Sequence, residues 1–130
     1  MDEKRVVATS SAPTPIGPYS QAVAAQGLLF VSGQVGLDPG TGEPAGNDIE
    51  SQTEQALRNL LAVAEAGGAS PEDAVRVGAF LADMELFDPF NRVYERLLPE
   101  PRPARITVAG GLGKWLVEVD GVFRLGKRET

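Results

Sequence analysis

Arg105 lies in the run Pro103-Ala104-Arg105-Ile106-Thr107-Val108, and thirteen residues on Glu118 lies in Leu116-Val117-Glu118-Val119-Asp120. Both segments read as strands, and the glycine-rich stretch Gly110-Gly111-Leu112-Gly113 between them reads as a hairpin turn. That spacing predicts a guanidinium beside a carboxylate. Such a pair can clamp an anionic substrate while the carboxylate activates a water. A plain cross-strand ion pair on an exposed sheet face, contributing about 0.2–1 kcal/mol, accounts for the same spacing. The chain contains neither histidine nor cysteine, so acid–base work falls to carboxylates, tyrosines, lysines or backbone groups. The same two absences remove the thiolate nucleophile, the Cys-type zinc site and the commonest metal ligand.

At 130 residues the sequence is of a length for one domain, 1–130, with a single core. Twelve basic and eighteen acidic side chains leave a formal charge of -6, which repels nucleic-acid phosphates and anionic lipid. Apolar runs such as Ala22 to Ala25 and Leu28 to Ser32 fall short of the ~20 residues a membrane span needs. The charged start Met1-Asp2-Glu3-Lys4-Arg5 lacks the apolar region of a signal peptide. The expectation is a cytoplasmic, metal-free protein with no membrane or nucleic-acid partner. Gly110 to Lys114 has the wrong spacing for a phosphate loop, and Asp38-Pro39-Gly40-Thr41-Gly42 offers one carboxylate, too few ligands for calcium.

The elements that must position these residues follow from periodicity and punctuation. Lys4 to Ala8 reads as a short strand, followed by a loop with Pro13, Pro15, Gly17 and Pro18 that delivers Tyr19 and Ser20. Ser20 to Ala25 and Leu28 to Ser32 flank Gln26-Gly27 as a tight hairpin. Asn47 and Glu50 resemble a capping box ahead of a helix whose apolar face runs from Ile49 to Ala64, and Gly67-Gly68 ends it. Ser70-Pro71-Glu72-Asp73 reads as a capped turn. Val75, Val77, Ala79 and Leu81 alternate as in a half-buried strand. Asp88 with Pro89 predicts the start of a second helix, carried by Phe90, Val93, Tyr94 and Leu97 until Pro99, Pro101 and Pro103. Strands at Ala104 to Ala109 and Trp115 to Leu125 complete an α+β fold with two helices on one sheet face. Phe80, Leu116 and Val122, beside Arg76, Glu118 and Asp120, are then left on the other face, to meet water or another copy of the chain.

Gly17-Pro18-Tyr19-Ser20-Gln21-Ala22, Phe30-Val31-Ser32-Gly33-Gln34, Phe80-Leu81-Ala82-Asp83-Met84, Phe90-Asn91-Arg92-Val93-Tyr94, Pro103-Ala104-Arg105 and Val117-Glu118-Val119 together resemble the RidA/YjgF family of reactive-intermediate deaminases. The resemblance spans nearly the whole chain. It implies a chorismate-mutase-like (bacillus type) α+β fold of about six strands and two helices. It also implies a homotrimer with active sites in clefts between subunits, and hydrolysis of 2-imino or 2-enamino acids such as 2-aminoacrylate and 2-iminobutanoate to 2-keto acids and ammonia. By the same resemblance Arg105 holds the substrate carboxylate and Glu118 handles the proton of the attacking water. Tyr19, Ser32, Asn91 and Thr107 line the pocket, and no metal, flavin or pyridoxal cofactor is demanded. Thr107 stands where many members have cysteine, Leu97-Leu98 replaces an aromatic pair, and the turn at Gly110 to Gly113 is unusually rich in glycine. Two further readings remain: a non-catalytic trimer that binds small carboxylic acids for regulation, and the endoribonuclease or translation inhibitor of the family's older names.

Overall fold

A computed structural model of the chain describes residues 3–126; Met1 and Asp2 of the charged start lie outside them. Among these residues six strands form one sheet in the order β1-β2-β3-β6-β4-β5, with two α-helices. The elements are β1 (Arg5–Val7), β2 (Ala22–Ala25), β3 (Leu28–Val35), α1 (Ile49–Ala66), β4 (Ala74–Leu81), α2 (Phe87–Leu97), β5 (Ala104–Ala109) and β6 (Val117–Arg124). Neighbours pair antiparallel except β4 and β5, which run parallel and are joined through α2. The α+β class, the element order and both helices are as the sequence predicts.

The tight turn between β2 and β3 has Gln26 at φ 57° and Gly27 at φ 77°, the paired positive values of a two-residue hairpin whose twist matches its strands. The core lies between sheet and helices, where Leu29, Leu57, Leu60, Val77, Leu81, Phe90, Val119 and Phe123 are sealed from solvent. Polar side chains of α1 tie the helix to the sheet. Asn59 donates to the carbonyls of Val35 and Leu37, and Gln52 accepts from Leu116 N while donating to Gly46 O. No helix among the described residues is long and apolar enough to cross a membrane.

Several local expectations are corrected. Gly110 to Gly113 is not a hairpin turn: β4 lies between β5 and β6, so the stretch crosses over a strand. The cap of α1 is Asp48, whose carboxylate accepts from Ser51 N at 3.0 Å, one residue beyond the Asn47–Glu50 pair. Helix α2 begins before Asp88. A 3-10 turn, Met84–Leu86, capped by Asp83 accepting from Glu85 N, runs straight into it. Val75 leaves the buried row because the β4–β6 register slips between Ala74 and Arg76; Ala74 takes the inner place and Val75 is exposed. Leu116 precedes β6 and packs against the core rather than on the open face. The capped turn at Ser70 stands, with Asp73 accepting from Ser70 N.

Candidate functional site

Strand β5 is an edge strand, and its Arg105 lies opposite Val77, whose side chain is buried beneath the helices. Arg105 therefore rises on the helix-covered side. Its guanidinium carbon sits 4.6 Å from the Tyr94 ring centre, 5.2 Å from Phe90 and 5.7 Å from Phe87, three rings that α2 supplies one and two turns apart. A guanidinium is weakly hydrated and stacks on aromatic faces, which leaves its edge N–H groups for a ligand. Arg105 makes no ion pair among the described residues. With Asn91, Tyr94, Glu95, Arg102 and Pro103 it lines a pocket of about 310 Å³. Thr107, two residues along β5 and opposite Ala79, shares the face of Arg105. Arg102 closes the pocket wall by donating to Leu98 O at 3.0 Å and Glu95 O at 3.3 Å, carbonyls at and just beyond the C-terminal end of α2. Burial pushes the Tyr94 phenol up, against the opposing charges of Arg105 and Arg102.

Glu118 stands on the other face. Val117 and Val119 point into the core, so Glu118 alternates outward with Asp120, and β4 separates β6 from Arg105's strand. The expected pairing of Arg105 with Glu118 on a hairpin is thus absent within one chain. Asp120 is engaged, accepting from Gly78 N at 2.9 Å with Arg76 at 3.7 Å. Glu118 has no ion pair or hydrogen bond to its side chain among the described residues. Partial burial, with Asp120's charge adding to it, raises its carboxyl pKa.

The β3–β6 register slips between Val31 and Gln34, and this bulge carries Ser32 and Gly33. Glu118's carboxylate lies over Gly33, so closely that a Cβ there would collide with it. Gly33 and Gln34 also line a second pocket of about 320 Å³, with Pro13, Ile16, Tyr19 and Trp115 among its walls. Tyr19 is 49% exposed, its hydroxyl accepting from Ile16 N at 3.4 Å. Ser32 donates to Ser20 O at 2.6 Å, so its hydroxyl ties down the loop that carries Tyr19. The buried Gln21 amide fixes that loop further, accepting from Thr9 N and donating to the carbonyls of Thr9, Ala12 and Pro13.

The six expected residues therefore divide into two sets. Arg105, Asn91 and Thr107 gather at the β5–α2 side; Tyr19, Ser32 and Glu118 gather around the bulge of β3. The first set can hold a carboxylate, and the second can place a water and move its proton. In the sequence the rings of Phe90 and Tyr94 beneath Arg105 read as core at helical spacing, and Phe87 falls ahead of the expected helix start at Asp88. Sequence reasoning also passed over Gln21, whose signal was only an amide amid small residues.

The sequence model of the endoribonuclease L-PSP family matches residues 9–123. A RutC family protein of Pyrococcus horikoshii is 47% identical over 105 residues, covering 81% of this chain and 83% of that one. A 2-iminobutanoate/2-iminopropanoate deaminase of Dermatophagoides farinae is 41% identical over 108 residues, 83% of this chain and 84% of that one. The crystal structure of a Rid-family protein of Yersinia pestis shares the fold at a TM-score of 0.89 with 35% identity, over 94% of this chain and 99% of that one. On motif, sequence and fold together, this chain belongs to the endoribonuclease L-PSP family, the RidA/YjgF family.

Proposed function

We propose that this protein hydrolyses reactive 2-imino and 2-enamino acids, such as 2-iminobutanoate and 2-aminoacrylate, to 2-keto acids and ammonia, clearing by-products of pyridoxal-dependent amino-acid metabolism in the cytoplasm. The observation that carries the reading is Arg105: a cation without a counter-ion among the described residues, stacked on three rings at the wall of a pocket, in a chain of net charge -6. Its fork matches a carboxylate through two parallel N–H···O bonds. Relatives at similar identity include a 2-iminobutanoate/2-iminopropanoate deaminase, which supports the same chemistry.

In this reading a water adds to the imine carbon as Glu118 takes one of its protons, and Glu118 then gives that proton to nitrogen, which yields the carbinolamine and restores the carboxylate; the hydroxyl proton passes to nitrogen as the C–N bond breaks, leaving the keto group and ammonia. A raised carboxyl pKa suits both steps, because a stronger base is also a competent acid nearer neutrality. The separation of the two residue sets is resolved by assembly: in a homotrimer, Arg105, Asn91 and Thr107 of one copy face Tyr19, Ser32 and Glu118 of the next. Support for a partner on the open face comes from Phe30, Ile106 and Val108, apolar and exposed there, and from the bare edge of β5.

The test is release of 2-oxobutanoate from 2-iminobutanoate generated in situ. Acceleration over buffer is expected, and Arg105→Ala is expected to abolish it with the fold intact. Keto-acid release at the buffer rate by purified wild-type protein would end the deaminase reading.

A further inference from the structure

We propose that Tyr94 is a positioning residue for Arg105, its ring seating the guanidinium face and its hydroxyl accepting one guanidinium N–H when a bound carboxylate draws the fork into line. The proposal deepens the reading of Arg105 as the carboxylate clamp and rests on it. Of the three rings under the guanidinium, Tyr94 is the nearest, at 4.6 Å, and the only one with an oxygen. That oxygen is buried and has no hydrogen-bond partner among the described residues, and Tyr94 lines the same pocket as Arg105. Stacking alone needs no hydroxyl, as Phe87 and Phe90 show, and a buried hydroxyl left unpaired is destabilising relative to phenylalanine. The other orphan, Thr53, sits inside α1, where a threonine hydroxyl can turn back to a carbonyl of the preceding turn.

Tyr94 has no such local acceptor or donor, and the cations that face it are Arg105 and Arg102. Arg102 is already committed to the carbonyls of Leu98 and Glu95 and to Glu100. Arg105 has no such commitment. Its guanidinium carries five N–H groups, of which a carboxylate engages two, so one can reach Tyr94 without weakening the clamp. Phe90, 5.6 Å from Tyr94 between ring centres, backs the Tyr94 ring.

The experiment measures binding of 2-oxobutanoate by calorimetry and the Arg105 side-chain Nε–H by nitrogen-15 NMR of the full chain. Tyr94→Phe keeps the ring and removes the oxygen, and its Kd is expected to rise about tenfold, the weight of one hydrogen bond to a charged group. Tyr94→Leu removes the ring as well, for a rise of about thirtyfold or more. In an Arg105→Ala background Tyr94→Phe is expected to change Kd by less than about twofold, a coupling that a purely structural role does not produce. In the ligand-free protein the Arg105 Nε–H signal is expected to exchange faster with water in Tyr94→Leu, which lacks the ring, and with 2-oxobutanoate bound it is expected to exchange faster in Tyr94→Phe as well. An unchanged Arg105 signal in both variants, or equal losses with and without Arg105, overturns the proposal. If wild-type protein binds no keto acid, the clamp reading fails, and the ligand-free comparison with Tyr94→Leu still decides whether the Tyr94 ring seats Arg105.

Discussion

Replacing Gly33 with alanine isolates the role of Glu118 without touching it. A Cβ at Gly33 collides with Oε2 of Glu118 and lies 3.0 Å from its Cδ and 3.3 Å from its Cγ, all atoms of one mobile side chain. Gly33 does not have a positive φ, so alanine fits its backbone and the whole perturbation falls on the carboxylate. Turning Glu118 off its rotamer costs about 0.5–1.5 kcal/mol, part of which is returned as the carboxylate gains water. For a domain of this size about 1 kcal/mol lowers Tm by roughly 3–5 °C. Losing a placed proton acceptor lowers kcat by about 10² to 10⁴. The variant is therefore expected to fold with a slightly lower Tm and to lose nearly all turnover of 2-iminobutanoate, measured by keto-acid release beside a thermal melt. Glu118→Gln should lose a comparable amount, and adding Gly33→Ala to it should matter little, as for groups that act as a unit. Turnover by Gly33→Ala within about threefold of wild type refutes the assignment of proton transfer to Glu118.

Other expectations follow from the same geometry. Because burial raises the Glu118 pKa, kcat/KM should climb as pH rises through that value and the base form appears; a profile flat on its acid limb counts against it. The sign for stability is the reverse: Glu118 favours the fold while protonated in both states and opposes it once pH passes its raised folded value, so Glu118→Gln should raise Tm more at pH 7 than at pH 4. Ile106→Asp, placed on the open face at 50% exposure, should turn the proposed trimer into monomers by light scattering and remove activity with it; an active monomer would dismiss the shared site. Asp48→Ala should lower the denaturant midpoint through the lost cap of α1 while leaving turnover intact.

Most of the fold was legible because its signals are local. The apolar face of α1, the Gln26-Gly27 turn and the prolines after α2 each carry their own structural requirement. Errors arose where a neighbour decided the outcome. Alternation puts Val75 in the buried row because it is silent about the register slip where β4 pairs with β6. The hairpin expected at Gly110 to Gly113 failed because two strands adjacent in sequence need not be adjacent in the sheet, and nothing in the residues announces that β4 comes between. The site shows the same division. Arg105 and Glu118 stand out as residue types, but their faces depend on strand order. The rings under Arg105 became visible only once α2 was laid against β5.

The place of β6 bears on how the protein is made. Its inner position leaves both β3 and β4 with a bare flank until residues 117–124 arrive, so a nascent chain that stops short of them carries two sheet halves not yet paired strand to strand. Zipping β6 into that slot closes pairings far apart in sequence, a slow kind of step. Folding is thus expected to wait for the ribosome to release this stretch, and chaperones that shield unpaired strands are the expected companions of the unfinished polypeptide.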